Sequence, residues 1–246
     1  MYNFFVTAPA DDNSVYKISG TDYNHIKNVL RLNIGAQLLV SYQGASDLCQ
    51  IIDFSESEVS AKIVQKDYQD TSLPIGIHLF QGLPKSDKLE FIVQKAVELG
   101  AESITPIETS RSIVKIEEKK KKSKIERWQA IAESAAKQSK RTLIPEVKQI
   151  LSFKSALEAL KTFDLILIPY ENHKGMLSTL DALKEIKSGM NVAVFIGPEG
   201  GFSEDEVNAV TKVGGKSISL GKRILRTETA AVTAIAMLML HAELNF

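Results

Sequence analysis

Phe195-Ile196-Gly197-Pro198-Glu199-Gly200-Gly201-Phe202-Ser203 carries an apolar run, Val192 to Ile196, straight into a loop of three glycines and a proline. Ser203 with Glu206 three residues on marks a helix start closed by a capping box. The segment reads as strand, glycine-rich loop and helix. Glycine lets a backbone come within hydrogen-bonding distance of a ligand, and the free N–H groups of a helix start face an anion or a polar edge. A P-loop needs Gly-Lys-Ser/Thr at its end, where this chain has Gly201-Phe202-Ser203. A dinucleotide fingerprint needs Gly-x-Gly-x-x-Gly; here the spacing differs, and Glu199 stands where it would repel a pyrophosphate. The loop therefore suits something other than a bare polyphosphate. Taken alone, it is equally a tight strand-to-helix turn.

A second segment, Leu220-Gly221-Lys222-Arg223-Ile224-Leu225-Arg226-Thr227-Glu228-Thr229-Ala230, repeats the logic. Lys216 to Leu220 alternates as a short strand, Gly221 breaks it, and Thr229 to Leu240 is an almost wholly apolar helical run. Arg223, Arg226 and Glu228 lie between strand and helix, where charges need partners or a task. An internal salt bridge of Arg226 with Glu228 or Glu199 would supply partners. A cofactor or catalytic site would supply the task.

Around these segments, short apolar runs at Ile75–Gln81, Ser103–Ile107, Leu165–Pro169 and Ser217–Leu220 alternate with helical stretches at Lys88–Leu99, Ser123–Ser139, Phe153–Leu160, Leu177–Ile186 and Ser203–Val213. That alternation predicts an α/β fold with a mainly parallel sheet covered on both faces. Residues 1 to about 70 differ: strands are expected at Asn3–Thr7, Val15–Ser19, Gln37–Tyr42, Leu48–Phe54 and Glu58–Gln65, with one helix at Asp22–Leu30. Short strands at close spacing suggest a small β-barrel. The polar stretch Lys66 to Pro74 suits a linker, giving domains at 1–70 and 74–246.

The chain has 246 residues with 30 basic and 30 acidic side chains, so no global field draws it to nucleic acid and any RNA binding rests on local patches. The strongest basic run, Lys119-Lys120-Lys121-Lys122, is either a solvated helix entrance neutralised by Glu117, Glu118 and Glu126 or an RNA contact. A single cysteine, Cys49, excludes an intrachain disulfide, fits a reducing compartment and sits in a strand-like run as a small core residue. His25, His78, His173 and His241 are scattered, so no metal site is expected. No apolar stretch reaches a membrane span, and a cytoplasmic protein is expected.

The two glycine segments resemble the cofactor-binding signatures of the RsmE family, the ribosomal RNA small subunit methyltransferases E. The likeness extends to His25-Ile26-Lys27-Asn28-Val29-Leu30-Arg31-Leu32, to Lys85-Ser86-Asp87-Lys88 with Gln94-Lys95-Ala96-Val97-Glu98-Leu99-Gly100, and to Glu126-Arg127-Trp128 with Ala135-Ala136-Lys137-Gln138-Ser139. The resemblance implies a PUA-like RNA-binding β-barrel followed by a SPOUT methyltransferase domain. In such a domain a deep trefoil knot holds S-adenosylmethionine, and two copies pair as a homodimer. The activity it implies is methylation of a uracil N3 in 16S ribosomal RNA, without metal. Two positions depart from the family pattern: Asn3 replaces a basic residue before Phe4-Phe5, and Lys140 stands where glycine is usual.

The chemistry of that reaction points to Arg226 and Glu199 as the catalytic residues, Arg226 stabilising charge on the uracil edge and Glu199 the candidate to accept a proton or touch the sulfonium or base. The resemblance implies cofactor contacts from Ile168, Gly197, Pro198, Glu199, Gly201, Leu220, Gly221, Ile224, Leu225 and Thr229, with Ile168-Pro169-Tyr170-Glu171 as a further wall. RNA contacts are expected from Arg31, Lys85, Lys95, Lys137, Arg141 and Arg223, on RNA free or within the assembled small ribosomal subunit. Two other readings remain: a knotted ribose 2′-O-methyltransferase, and a non-catalytic RNA-binding or ribosome-assembly factor whose arginines clamp phosphate.

Overall fold

The computed structural model describes residues 1–170 and 175–246, so Glu171 and His173 lie outside the described residues. The chain forms two compact units, Met1–Ser72 with Ala136–Ile144, and Leu73–Ala135 with Pro145–Phe246.

The first unit is a five-stranded sheet of β1 (Asn3–Phe5), β2 (Val15–Ser19), β3 (Gln37–Tyr42), β4 (Ala45–Phe54) and β5 (Glu58–Gln65), in the order β1-β3-β4-β5-β2. β1 runs parallel to β3, and the other pairs are antiparallel. Register shifts at Leu48/Cys49 and Ile51/Asp53 bend β4 against β5. β1 and β2 lie at the two ends of the path and do not pair with each other, so the sheet is a half-barrel. The expected helix at Asp22–Leu30 is a short α1 (Gly20–Asn24) continued by a π-helical turn, His25–Val29. Phe4, Tyr16, Ile18, Ile26, Leu38, Val40, Cys49 and Ile51 form the core. Asp47 is held inside it by the Tyr16 hydroxyl at 3.0 Å and the Asp67 N–H at 2.9 Å. Burial, followed by the negative Asp47, pushes the Cys49 thiol up to about 12, so this cysteine is a core residue and not a nucleophile.

Residues 136–144 complete this unit. The Asn3 carboxamide donates to the Arg141 carbonyl at 2.9 Å and accepts from the Ser41 hydroxyl at 2.9 Å, so the residue that replaces a basic one in the family pattern is a buried tie. Lys137 pairs with Asp22 at 2.7 Å. Lys140 has φ +57, a left-handed conformation that explains why glycine suits this position.

The second unit is built on β6 (Gly76–Gly82), β7 (Ser103–Glu108), β8 (Glu146–Val147), β9 (Leu151–Ser152), β10 (Leu165–Pro169), β11 (Asn191–Ile196) and β12 (Lys216–Ile218). The order is β12-β10-β11-β6-β7-β8, with β9 also on β7, and every pair is parallel. Val192 to Ile196 are all buried, as in a sheet covered on both faces. On one face Phe80, Ala193, Phe195, Ile166 and Ile168 pack with Ala156 and Leu160 of α4 (Phe153–Leu160) and Val207 and Val210 of α6 (Glu204–Lys212). α7 (Thr227–Asn245) packs on β6, β11 and α2 (Lys88–Glu98), and α5 (Leu177–Lys184) packs beside β12.

α3 (Glu118–Ser139) starts before the expected Ser123, which places the lysine run inside its first turns. Each of these lysines meets a carboxylate: Lys119 and Lys120 reach Glu117 at 3.1 Å, Lys121 reaches Glu118 at 2.9 Å, and Lys122 reaches Glu126 at 3.9 Å. β11 lies between β10 and β6 although it follows both in the chain. The carboxyl ends of these strands open a crevice where strand order switches, the place where open α/β sheets bind ligands.

Candidate active site

The loop after β11 crosses the end of β6 at close quarters. A Cβ on Gly82 would lie 2.5 Å from Pro198 Cδ and 2.6 Å from Pro198 N, so only glycine permits the crossing. Phe202 then folds back to stack on Phe195, with ring centroids 5.5 Å apart and planes at 18°. The expected capping box is present: Ser203 Oγ accepts from the Glu206 N–H at 3.2 Å, and Glu206 Oε2 accepts from the Ser203 N–H at 2.9 Å. The other oxygen of Glu206 accepts from the Ser110 N–H at 2.7 Å, and Arg111 donates to the Gly200 carbonyl at 3.0 Å. The loop is thus clamped at both sides. Within it, Gly201 has φ +65, and a Cβ there would point into open space.

The loop between β12 and α7 is tied just as closely. Ser219 exchanges two hydrogen bonds with Thr179 of α5, its N–H donating at 2.9 Å and its carbonyl accepting at 2.8 Å. Thr227 Oγ1 donates to the Gly197 carbonyl at 2.6 Å, which joins the two glycine segments directly. Between them is a cavity of about 410 Å³, in the size range of small-molecule sites.

Of the expected residues, Gly197, Pro198, Glu199, Gly201, Leu220, Gly221, Arg223, Ile224, Leu225 and Arg226 line this cavity. Ile168 and Thr229 do not: Ile168 is fully buried in β10, and Pro169 and Tyr170 form the wall beside it. Lys88, Ser219, Lys222 and Thr227 line the cavity without having been singled out.

Arg226 is exposed at the N-cap of α7 and bonds to no side chain among the described residues. It makes no salt bridge to Glu199 or Glu228; another cation lies beside both carboxylates, although Glu228 Oε2 accepts no hydrogen bond among the described residues. Lys88 Nζ lies 2.9 Å from Glu199 Oε1 and 3.6 Å from Glu228 Oε2. The Lys85 N–H also donates to Glu199, at 3.1 Å. Burial works against the charged form of Glu199, but the Lys88 bond and the backbone N–H groups of Glu199 and Lys85 outweigh it and hold the carboxyl below its ordinary range. The same hydrogen bond raises the Lys88 ammonium above its ordinary value.

The candidate RNA contacts separate into two groups. Arg31, at φ +52, Lys85 and Arg223 are exposed. Lys95 pairs with Glu98 at 2.8 Å, Lys137 with Asp22, and Arg141 is only 7% exposed.

Residues 71–239 match the family model of the RNA methyltransferase domain, and residues 18–64 match that of the RNA methyltransferase PUA domain. The ribosomal RNA small subunit methyltransferase E of Bacillus subtilis is 38% identical over 233 residues, which cover 93% of this chain and 91% of that protein. The chain belongs to the RsmE family. Its half-barrel is the PUA-like part of the RsmE architecture, and its parallel sheet is the SPOUT methyltransferase part. The Neisseria gonorrhoeae RsmE structure, bound to S-adenosyl methionine, matches with a TM-score of 0.85 at 29% identity, covering 98% of this chain and 97% of that one. A putative methyltransferase from Legionella pneumophila, in complex with the same cofactor, matches with a TM-score of 0.82 at 30% identity, covering 97% and 96%.

Proposed function

We propose that this chain methylates N3 of a uridine in 16S ribosomal RNA with S-adenosylmethionine as donor. The observation that carries the reading is Arg226, an unpaired cation at the rim of a cavity lined by two backbone-rich loops. The cofactor fits the residues present. Gly201 leaves its Cβ direction open, Ile196, Leu220 and Leu225 offer apolar walls for an adenine, and the loop backbones offer hydrogen bonds to its edge and to a ribose. When bound, S-adenosylmethionine supplies a methyl group already attached to a sulfonium leaving group.

The chain's own work is then placement and charge. Holding the target nitrogen in line is worth on the order of 7–11 kcal/mol. Uracil N3 carries an imide proton, and its loss to solvent water leaves negative charge over N3 and the flanking oxygens. Arg226 is free to meet that charge, as a fixed cation beside a developing anion. Glu199, held ionised by Lys88, is a weak base; its role is to fix Lys88 at the cavity rim rather than to take the proton. Because N3 is occupied in a Watson–Crick pair, the target base is unpaired or flipped out.

Arg31, Lys85 and Arg223 are the exposed cations for phosphate contact. A chain that is neutral overall suits a shaped ribonucleoprotein surface, the assembled small subunit, better than free RNA. The protein acts in the cytoplasm, and no described helix is long and apolar enough to cross a membrane. Leu240, Leu244 and Phe246 are 51%, 80% and 53% exposed along the end of α7, which supports pairing of two copies through that helix.

The test joins calorimetric titration with S-adenosylmethionine to product analysis on small subunits. Saturable binding and a methylated uracil N3, read as a reverse-transcription stop and by mass of the nucleoside, are expected. A ribose 2′-O-methyl product would make the chain a sugar methyltransferase. No cofactor binding by folded protein would leave an RNA-binding factor.

A further inference from the structure

Gln81 is fully buried at the end of β6, on the face covered by α7, and its carboxamide is satisfied on one side only. Nε2 donates to the Gly82 carbonyl at 2.9 Å, to Thr227 Oγ1 at 2.9 Å and, at 3.4 Å, to the Gly197 carbonyl. Oε1 has no hydrogen-bond partner among the described residues. The amide cannot be turned over to relieve this, since its oxygen would then face two carbonyl oxygens. Thr227 Oγ1 already donates its proton to Gly197 at 2.6 Å, so it receives from Gln81 and the chain of bonds has one direction. A buried amide with an empty acceptor is a poor stabiliser, because an apolar side chain of similar size would bury the same area without an orphaned oxygen. What the amide does supply is a fixed separation between three backbone segments.

Those segments are the ones the site is made of. Gly197 opens the first glycine loop, and Thr227 is the first residue of α7, directly after Arg226. Gly82 lies against Pro198. We infer that Gln81 is a positioning residue. Through Thr227 and the Gly197 carbonyl it sets the distance between the Gly197–Phe202 loop and the Arg226 turn, and so places Arg226 over the cavity. This rests on the methyltransferase reading for its consequence in turnover, but not for its consequence in loop order.

The experiment compares Gln81→Met, Thr227→Val and Thr227→Ser with the wild type, in amide hydrogen exchange and in methyl transfer. Met matches Gln in length, Val matches Thr in shape without the hydroxyl, and Ser keeps the hydroxyl. In Gln81→Met and Thr227→Val, exchange at residues 197–202 and 220–226 should rise about tenfold while the sheet stays protected. Turnover should fall about 10–100-fold, the scale on which ångström misplacement acts, with a smaller change in KM for the cofactor. Thr227→Ser should behave as wild type within about threefold, and the double variant Gln81→Met with Thr227→Val should lose little beyond the worse single one, because both cut one chain of bonds. Unchanged exchange in both loops of a folded Thr227→Val protein overturns the inference, whatever the activity. Wild-type protein that exchanges as expected yet transfers no methyl group would overturn the methyltransferase reading instead.

Discussion

Lys88 Nζ stands 2.9 Å from Glu199 Oε1 and 3.6 Å from Glu228 Oε2, so one lysine from α2 hydrogen-bonds the first carboxylate and lies beside the second. Two consequences follow from that one contact. Arg226 stays unpaired at the cavity, and Glu199 is kept ionised at a partly buried position where burial alone would favour its neutral form. The cation that holds Glu199 and the cation left exposed at the cavity rim are therefore different residues.

Replacing Lys88 by Met should move the Glu199 carboxyl upward in pKa, since burial remains and the strongest compensating bond is gone. In the wild type the depressed pKa gives stability that is complete at neutral pH and is lost as pH falls through the folded value. Lys88, raised, contributes stability that is lost only as pH rises through its own folded value. Acid unfolding of Lys88→Met should accordingly begin at a higher pH than in the wild type. A carboxyl-carbon NMR titration of Glu199 reads the shift directly; an unmoved titration would show that the contact has no electrostatic weight.

Arg226→Ala should lower single-turnover methyl transfer by about 10²–10³-fold, the usual cost of losing one preorganised charge partner. Cofactor affinity should change by less than about threefold and stability by less than about 0.5 kcal/mol, because the side chain is exposed and bonds to no side chain among the described residues. Equal losses in turnover and cofactor affinity would make Arg226 a binding residue.

Much of this was legible in the chain. Val192 to Ile196 gave β11, Ser203 with Glu206 gave the capping box, and the alternation of strands and helices gave the parallel sheet, because each is a local pattern. β8 and β9, two residues each, are too short to carry a period. The Lys88 to Glu199 contact joins residues far apart in sequence, and nothing local to either reports the other. Nothing in the sequence tells that Arg141 is buried or that Lys137 is paired with Asp22. Their burial and pairing depend on how residues 136–144 fold onto the half-barrel strands, which no periodicity encodes.

Replacing Lys119, Lys120, Lys121 and Lys122 with Gln should leave the salt dependence of RNA binding nearly unchanged, since each already meets a carboxylate of α3 or its approach. Each cation that truly neutralises a phosphate contributes about 0.7–0.9 to the slope of log affinity against log salt. A slope change below about 1 on losing all four supports a solvated helix start. A change near 3 would place the run on RNA.

Lys140→Gly should stabilise the protein by about 0.5–1 kcal/mol, the left-handed strain of a non-glycine residue less the extra freedom glycine gains when unfolded. The backbone of Lys140 has φ +57, its side chain is exposed, and the bonds its carbonyl accepts from Gln69 and Thr71 survive the change. A rise of about 1–3 °C in the melting temperature is the expected reading. A fall would mean that the lysine side chain contributes something its exposure does not suggest.

Gly201→Val should abolish measurable cofactor binding in calorimetric titration. Two effects combine. A β-branched residue at φ +65 is strained by about 1–3 kcal/mol, and its side chain would point into the cavity, where no protein atom lies within 4 Å of the added Cβ. Gly214→Val separates them, because Gly214 has φ +94 and equally open space but does not line the cavity. That variant should lose similar stability and keep its affinity for S-adenosylmethionine. If both variants lose binding alike, strain alone is responsible and the loop's place in the cofactor site falls; if only Gly201→Val does, the cofactor lies against Gly201.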